Sequence, residues 1–247
     1  MLNNSKFLAF DTSTEVMSVA LTDGRRIWQH TSPGGAKASA TLIPAVLALL
    51  AEAQLALGDL RAIAFGRGPG SFSGLRTACA VAQGLAFGAN SGAGIDVLPI
   101  DTLLALAEEA RFQSPGSVQH ITALLDARMD EMYAQRYSVD INVLSQVGRC
   151  ELISPEDLPA GPPAGLFAGN VFDVYVNRLP TPVRHLTCLP TATAMLRLAP
   201  ALAASGHCVN AALALPLYVR DKVALTTNER AEISRAKLAA AAQSAPH

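Results

Sequence analysis

Eleven residues, Gly66 to Arg76, read GRGPGSFSGLR and carry four glycines, one proline and two arginines. A glycine-rich loop can close backbone amides on a phosphate, and cations at a helix N-terminus strengthen the attraction. Spacing removes the two commonest versions of that chemistry. A Walker loop needs a Lys-Ser/Thr pair after its last glycine, and here Gly74 is followed by Leu75 and Arg76. A dinucleotide fingerprint runs G-x-G-x-x-G, whereas Gly66, Gly68 and Gly70 run G-x-G-x-G. What remains is a loop shaped by glycine and stiffened by Pro69, with Arg67 and Arg76 as cations beside a helix that Ser71 caps. It reads as a mildly anion-attracting surface loop or as a structural strand-to-helix turn. No G-x-S-x-G nucleophile elbow surrounds Ser71 or Ser73.

Two carboxylates follow short apolar runs, Asp11 after Phe7 to Phe10 and Asp126 after Ile121 to Leu125. Strand-end carboxylates can serve a nucleotide site, and they can equally form turns by accepting backbone amides two residues on. The turn reading is favoured, because neither Asp11-Thr12-Ser13-Thr14 nor Asp126-Ala127-Arg128-Met129 has a glycine to let amides close on a phosphate. The five histidines are scattered, and the four cysteines lack the close pairs of zinc or redox motifs, so neither set predicts a metal centre.

The elements that position these residues follow from pattern. Phe7 to Phe10, Val16 to Leu21 and Arg25 to Thr31 are strands, the last two joined at the hairpin signal Asp23-Gly24. Helical spacing covers Ser39 to Gln54, a short strand at Arg61 to Phe65 feeds the glycine loop, and a second helix carries Phe72, Leu75, Cys79, Ala82 and Leu85. A strand at Asp96 to Ile100 and a helix at Thr102 to Arg111 follow. The second half begins the pattern again: strands at Ile121 to Leu125, Glu131 to Val139 and Val143 to Ile153, a proline-rich connector, and a strand at Gly165 to Ala168. Helical stretches are expected at Val171 to Asn177 and Thr191 to Ala204. Two copies of strand, acidic turn and hairpin predict a duplicated α/β architecture, each half a mixed sheet flanked by helices, with a cleft between them.

Half of the 247 residues are hydrophobic, so the core is large, and a net charge of -1 leaves no global field for nucleic acid. The N-terminus lacks the apolar run of a secretory signal, and Thr77 to Ile95 is too polar in its second half to span a membrane; a cytoplasmic protein is expected. The helix around Leu42 to Leu50 is more apolar than one buried face requires, and the next helix is rich in small residues. Either a partner or the C-terminal segment covers them.

The loop GRGPGSFSGLR resembles the G-R-G-P-G-S-F-T-G-[LVI]-R signature of the TsaB (YeaZ) family of bacterial tRNA threonylcarbamoyladenosine synthesis, departing only at Ser73 for threonine. LAFDTST, LIPAVLALL, AQGLAFG, LLDARMDEMYAQRY and PLYVR are similar to that family as well. The resemblance implies the actin/Hsp70/sugar-kinase-like (ASKHA) fold, with similar domains at 1–104 and 105–220 and a tail or helix at 221–247. It makes Asp11 and Asp126 vestigial nucleotide-site positions and implies an accessory subunit without catalysis or cofactor of its own. ATP or ADP would find a place only at a subunit interface. The implied partners are the catalytic subunit TsaD and the ATPase TsaE, with a homodimer when alone and tRNA met only through the complex. Docking would use Leu42, Val46, Leu50, Phe72, Leu75, Cys79 and Ala82. TsaD-type metal binding needs H-x-x-x-H on the first helix, and Ala36 to Pro44 contains no histidine. The rival reading is an ATP-dependent phosphotransferase on the same fold, with Asp11 and Asp126 as working carboxylates.

Overall fold

The computed structural model describes residues 5–220 apart from 115, 117, 142, 163 and 181–183, so the expected tail at 221–247 lies outside the described residues. Strands β1 (Phe7–Asp11), β2 (Val16–Thr22), β3 (Ile27–Pro33), β4 (Ala62–Gly68) and β5 (Asp96–Asp101) form one sheet in the order β3-β2-β1-β4-β5. The second sheet contains β6 (His120–Arg128), β7 (Glu131–Asp140), β8 (Val143–Ile153), β9 (Gly165–Gly169) and β10 (His185–Thr187), in the order β10-β9-β6-β7-β8. Read from the hairpin edge, the sheets are the same object: two antiparallel pairs, then two parallel ones. Asp11 and Asp126 occupy equivalent places at the ends of the central strands, as the repeated pattern predicts.

The helices are α1 (Ala38–Ala53), α2 (Phe72–Gly88), α3 (Thr102–Gln113) and α4 (Ala192–Ala204). β1 is apolar from Phe7 to Phe10 because the first sheet is covered on both faces. Leu8, Phe10, Val19 and Leu21 point to α1 and α2, and meet Leu42, Val46, Leu50, Cys79 and Ala82. Phe7, Ala9, Ala20 and Leu98 point the other way, to Ala105 of α3 and to Ala192, Met195, Leu196 and Ala199 of α4. α4 therefore follows the second sheet in sequence and packs on the first. The boundary expected at 104/105 falls inside α3, and the described residues up to Leu217 group into one compact unit.

α3 and α4 are joined by a buried ionic cluster. Arg197 donates to Glu108 Oε1 at 2.9 Å and to Glu109 Oε2 at 2.7 Å, while Arg111 donates to Glu108 at 2.7 and 2.9 Å. Gln113 and Thr191 supply two more bonds to Glu109, at 2.8 and 2.7 Å.

One expected helix is not formed. Val171 to Asn177 makes open turns, closed by Tyr175 N donating to Val171 O and Leu179 N donating to Tyr175 O. A stretch this short cannot nucleate a helix on propensity alone. Its anchors lie elsewhere: Val171, Phe172 and Tyr175 are buried in the second sheet's own cluster, and Tyr175 and Arg178 hold the β6–β7 turn. β10, three residues long, carries too little pattern to be expected from sequence.

Candidate functional site

Two turns face each other across a cavity of about 250 Å³, the β1–β2 turn at Asp11 to Glu15 and the β6–β7 turn at Asp126 to Asp130. Ser13, Thr14, Gly70, Ser71, Asp126 and Arg128 are among the residues that line it. This is the cleft between halves that the duplication predicts.

The glycine loop lies over the first turn and is filled by it. A Cβ on Gly66 would overlap Asp11 Oδ2, one on Gly70 would stand 2.6 Å from Ser13 O, and one on Gly74 would overlap Thr12 O. Three successive turn residues thus occupy the places of three absent side chains. Hydrogen bonds fix the fit: Ser71 N donates to Ser13 O at 2.7 Å and Thr12 Oγ1 donates to Gly74 O at 2.7 Å. Gly68 has φ +120°, a conformation other residues avoid, and its neighbour Arg67 accepts Leu217 N through its carbonyl at 2.7 Å. The glycines admit protein backbone where a phosphate cradle would admit an anion.

The remaining loop residues take structural places. Arg67 pairs with Asp101, and Arg76 lies 4.0 Å over the Phe72 ring. Ser71 holds the N-cap position of α2, but its hydroxyl makes no capping bond and instead approaches Ser73 Oγ at 3.4 Å. Gly68 and Pro69 are joined by a cis peptide bond.

Two amides in or next to each turn are engaged internally. Ser13 N donates to Asp11 Oδ1 at 2.9 Å and Val16 N donates to Thr14 Oγ1 at 3.2 Å. In the second turn Arg128 N donates to Asp126 Oδ1 and Asp126 N to Asn170 Oδ1, both at 2.9 Å. Both aspartates therefore accept the amide two residues on. Their surroundings differ. Asp126 also receives Tyr175 Oη at 2.8 Å and the Arg128 guanidinium at 3.0 Å. Asp11 is wholly buried, and its Oδ2 accepts no hydrogen bond. Burial pushes its carboxyl up to about 6, against the opposing effect of the Ser13 hydroxyl and amide.

Arg128, Met129 and Asp130 have φ of +62°, +56° and +62°, three consecutive left-handed residues without a glycine. Asn170, Tyr175 and Arg178, in and beside the segment expected to be helical, hold this turn, with Arg178 reaching Asp130 at 3.0 Å.

Of the expected docking residues, six lie inside. Leu42, Val46, Leu50, Leu75, Cys79 and Ala82 are buried in the chain's own core, and Phe72 alone is exposed, at 40%. The stripe spaced i, i+4 through Leu42 is the one the sheet takes; α1 carries a second apolar stripe that it leaves out. Ala40, Ile43, Pro44, Leu47, Ala48 and Ala51 are all exposed, Ile43 at 42% and Leu47 at 52%, with no charge among them. On α2 the outward residues include Ser73, Ala80, Gly84 and Phe87, small enough at their centre for another helix to approach closely. The excess of apolar residues on α1 is the signal behind that expectation, and it does not say which stripe lies inside.

Burial pushes the Cys79 thiol up to about 11 and those of Cys150 and Cys188 to about 12, which keeps them protonated and unreactive near neutrality. Among the described residues no group of three or more His, Cys, Asp and Glu is placed to hold a metal ion, and no helix is long and apolar enough to cross a membrane.

Comparison with known proteins is consistent along the chain. The family model described as TsaD: tRNA N6-adenosine threonylcarbamoyltransferase matches residues 29–245. The tRNA threonylcarbamoyladenosine biosynthesis protein TsaB of Haemophilus influenzae is 34% identical over 240 residues, 90% of this chain and 96% of that protein. Its namesake in Escherichia coli is 36% identical over 137 residues, 56% of this chain and 57% of that one. Among solved structures, YeaZ from Pseudomonas aeruginosa superposes with a TM-score of 0.78 at 38% identity, covering 87% of this chain and 100% of that one.

Proposed function

The chain belongs to the TsaB (YeaZ) family, and from that premise we propose that it is an accessory subunit of the synthesis of threonylcarbamoyladenosine in tRNA, holding a catalytic partner of the TsaD type through the outer faces of α1 and α2. The observation that carries the reading is the uncharged exposed stripe from Ala40 to Ala51 on a helix whose other side already fills the core. Surface helices normally turn charge to water, and a continuous apolar face marks an interaction site. The small residues at Ala80 and Gly84 allow a two-helix partner to pack against both elements.

The engaged amides of the cleft argue against a nucleoside triphosphate as its occupant. Phosphate capture needs backbone N–H groups that point at the ligand unengaged. The amides of Ser13, Val16, Asp126 and Arg128 donate to the protein's own oxygens, and the glycine loop is filled by the turn beneath it. That supports an accessory subunit over an ATP-dependent phosphotransferase. A TsaE-type ATPase would supply nucleotide hydrolysis, tRNA would be met only through the assembly, and the same α1–α2 face would pair two copies when the partner is missing.

The test is co-elution with a TsaD partner in size-exclusion chromatography, joined to an assay of modified adenosine with and without this chain. Leu47→Arg places a charge in the middle of the exposed stripe without touching the core. It should abolish co-elution while the isolated chain keeps its circular dichroism and melting temperature. Undiminished co-elution would remove α1 as the docking face, and turnover of a small-molecule acceptor with Mg-ATP by the chain alone would favour the phosphotransferase.

A further inference from the structure

Asp11 is a buried carboxyl that the docking role does not use. Its Oδ2 lies in the space left by the missing side chain of Gly66 and accepts no hydrogen bond, while Oδ1 accepts both Ser13 N at 2.9 Å and Ser13 Oγ at 2.6 Å. Ser13 in turn accepts Ser71 N through its carbonyl, and Ser71 O accepts Leu75 N at 2.9 Å in the first turn of α2. A continuous line of hydrogen bonds therefore runs from a carboxyl sealed off from water to the start of a helix 60 residues further along the chain.

Among the described residues, the elements around this carboxyl offer no counter-ion. The turn contributes Ser13, β2 contributes Ser18 opposite Asp11 in the register, and β4 contributes Gly66. Arg67, next on β4, is turned to Asp101, Glu15 at the far end of the turn is exposed, and Arg197 on α4 is taken by Glu108 and Glu109. No charged side chain contributes to the upward displacement of Asp11, which comes from burial. A negative charge on Oδ2 has nothing to pair with as long as the turn stays seated in the glycine loop, and water reaches it only when they part.

We propose that Asp11 is a proton-operated latch between the β1–β2 turn and the N-terminus of α2, closed when the carboxyl is neutral and loosened when it is ionised. The latch is a property of the chain alone and does not depend on what α2 docks against.

The sign is fixed by the direction of the shift. The seated carboxyl titrates near 6 and the released one near its ordinary 3.8, so seating is strongest at low pH and weakens as pH rises, with a plateau above the upper value. Between about pH 5 and about pH 7.5 the equilibrium for opening rises roughly tenfold by this linkage.

The test is hydrogen exchange by NMR on the full chain, corrected for the intrinsic pH dependence of exchange. Protection of the Ser71 and Leu75 amides should fall about tenfold over that range in the native protein, and stay level in Asp11→Asn, whose amide keeps the shape and the Oδ1 bonds. Level protection in the native chain, or an equal fall in Asp11→Asn, overturns the latch. Should Asp11→Asn not fold, the side-chain carbon of Asp11 in the native chain decides: a midpoint near 6 shared by the Ser13 and Ser71 amide shifts supports it, and a midpoint near 4 overturns it.

Discussion

Arg197→Ala removes the cation that joins α3 to α4. Two charge-assisted bonds, at 2.9 and 2.7 Å, are lost to carboxylates whose side chains are 3% and 11% exposed. Glu108 keeps Arg111, so its charge stays compensated. Glu109 keeps only the neutral donors Gln113 and Thr191 and is left as a nearly buried anion without a counter-ion. Breaking a buried pair from one side costs about 3–5 kcal/mol, and because Glu108 retains a partner the lower end is expected, near 3 kcal/mol. Loss of the guanidinium stacked 4.2 Å over the Phe112 ring adds a fraction of a kcal/mol, the ring being exposed. Urea unfolding near pH 7 measures the difference directly. The double variant Arg197→Met with Glu109→Gln removes charge from both partners and should recover at least 1 kcal/mol, roughly, relative to Arg197→Ala. The pH dependence gives a second check. Burial pushes Glu109 up, but its bonds from Gln113, Thr191 and Arg197 outweigh that and hold its carboxyl below the ordinary 4.5. Stability from this group is therefore present above 4.5 and lost as pH falls through the lowered native value. The gap between native and Arg197→Ala should narrow on acidification. A cost below about 1 kcal/mol at neutral pH, or a double variant no more stable than the single one, would refute the assignment of the cluster as the staple between the two helices.

Gly74→Ala and Gly84→Ala, on one helix, should move stability in opposite directions. The first drives a Cβ into Thr12 O and should cost about 1–3 kcal/mol, while the second meets nothing within 4 Å and should gain about 0.5–1 kcal/mol from helix propensity; thermal melts of the two variants compare them. Ala82→Arg forces a charge into a fully buried position between the sheet and α2 and should unfold the chain, seen as lost cooperative melting, whereas Leu47→Arg leaves the melt unchanged.

The strands and the duplication were legible because each half repeats an apolar run, an Asp and a hairpin, and alternation and turn chemistry are local. The outer face of α1 was not. Leu42, Val46 and Leu50 and the neighbouring Ile43, Leu47 and Ala51 are both apolar stripes at helical spacing, and only the position of the sheet decides which is inside. The glycine loop was recognisable as a shape, but its occupant lies far away in sequence: the bond from Thr12 to Gly74 spans 62 residues. No local pattern announces such a partner. The same holds for Arg197 and Glu109, 88 residues apart, and for Tyr175, whose bond to Asp126 takes its segment out of the helix that periodicity suggested.

The placement of α4 has a consequence for synthesis on the ribosome. Phe7, Ala9, Ala20 and Leu98 leave the exit tunnel long before residues 192–204, which roof them, have been joined to the nascent chain. At about 5–20 residues per second, some 5–20 seconds pass in which that side of the early sheet has α3 beside it but lacks α4. Over that interval the newborn N-terminal half is a greasy, half-finished sandwich, and it is then that a chaperone has most to protect.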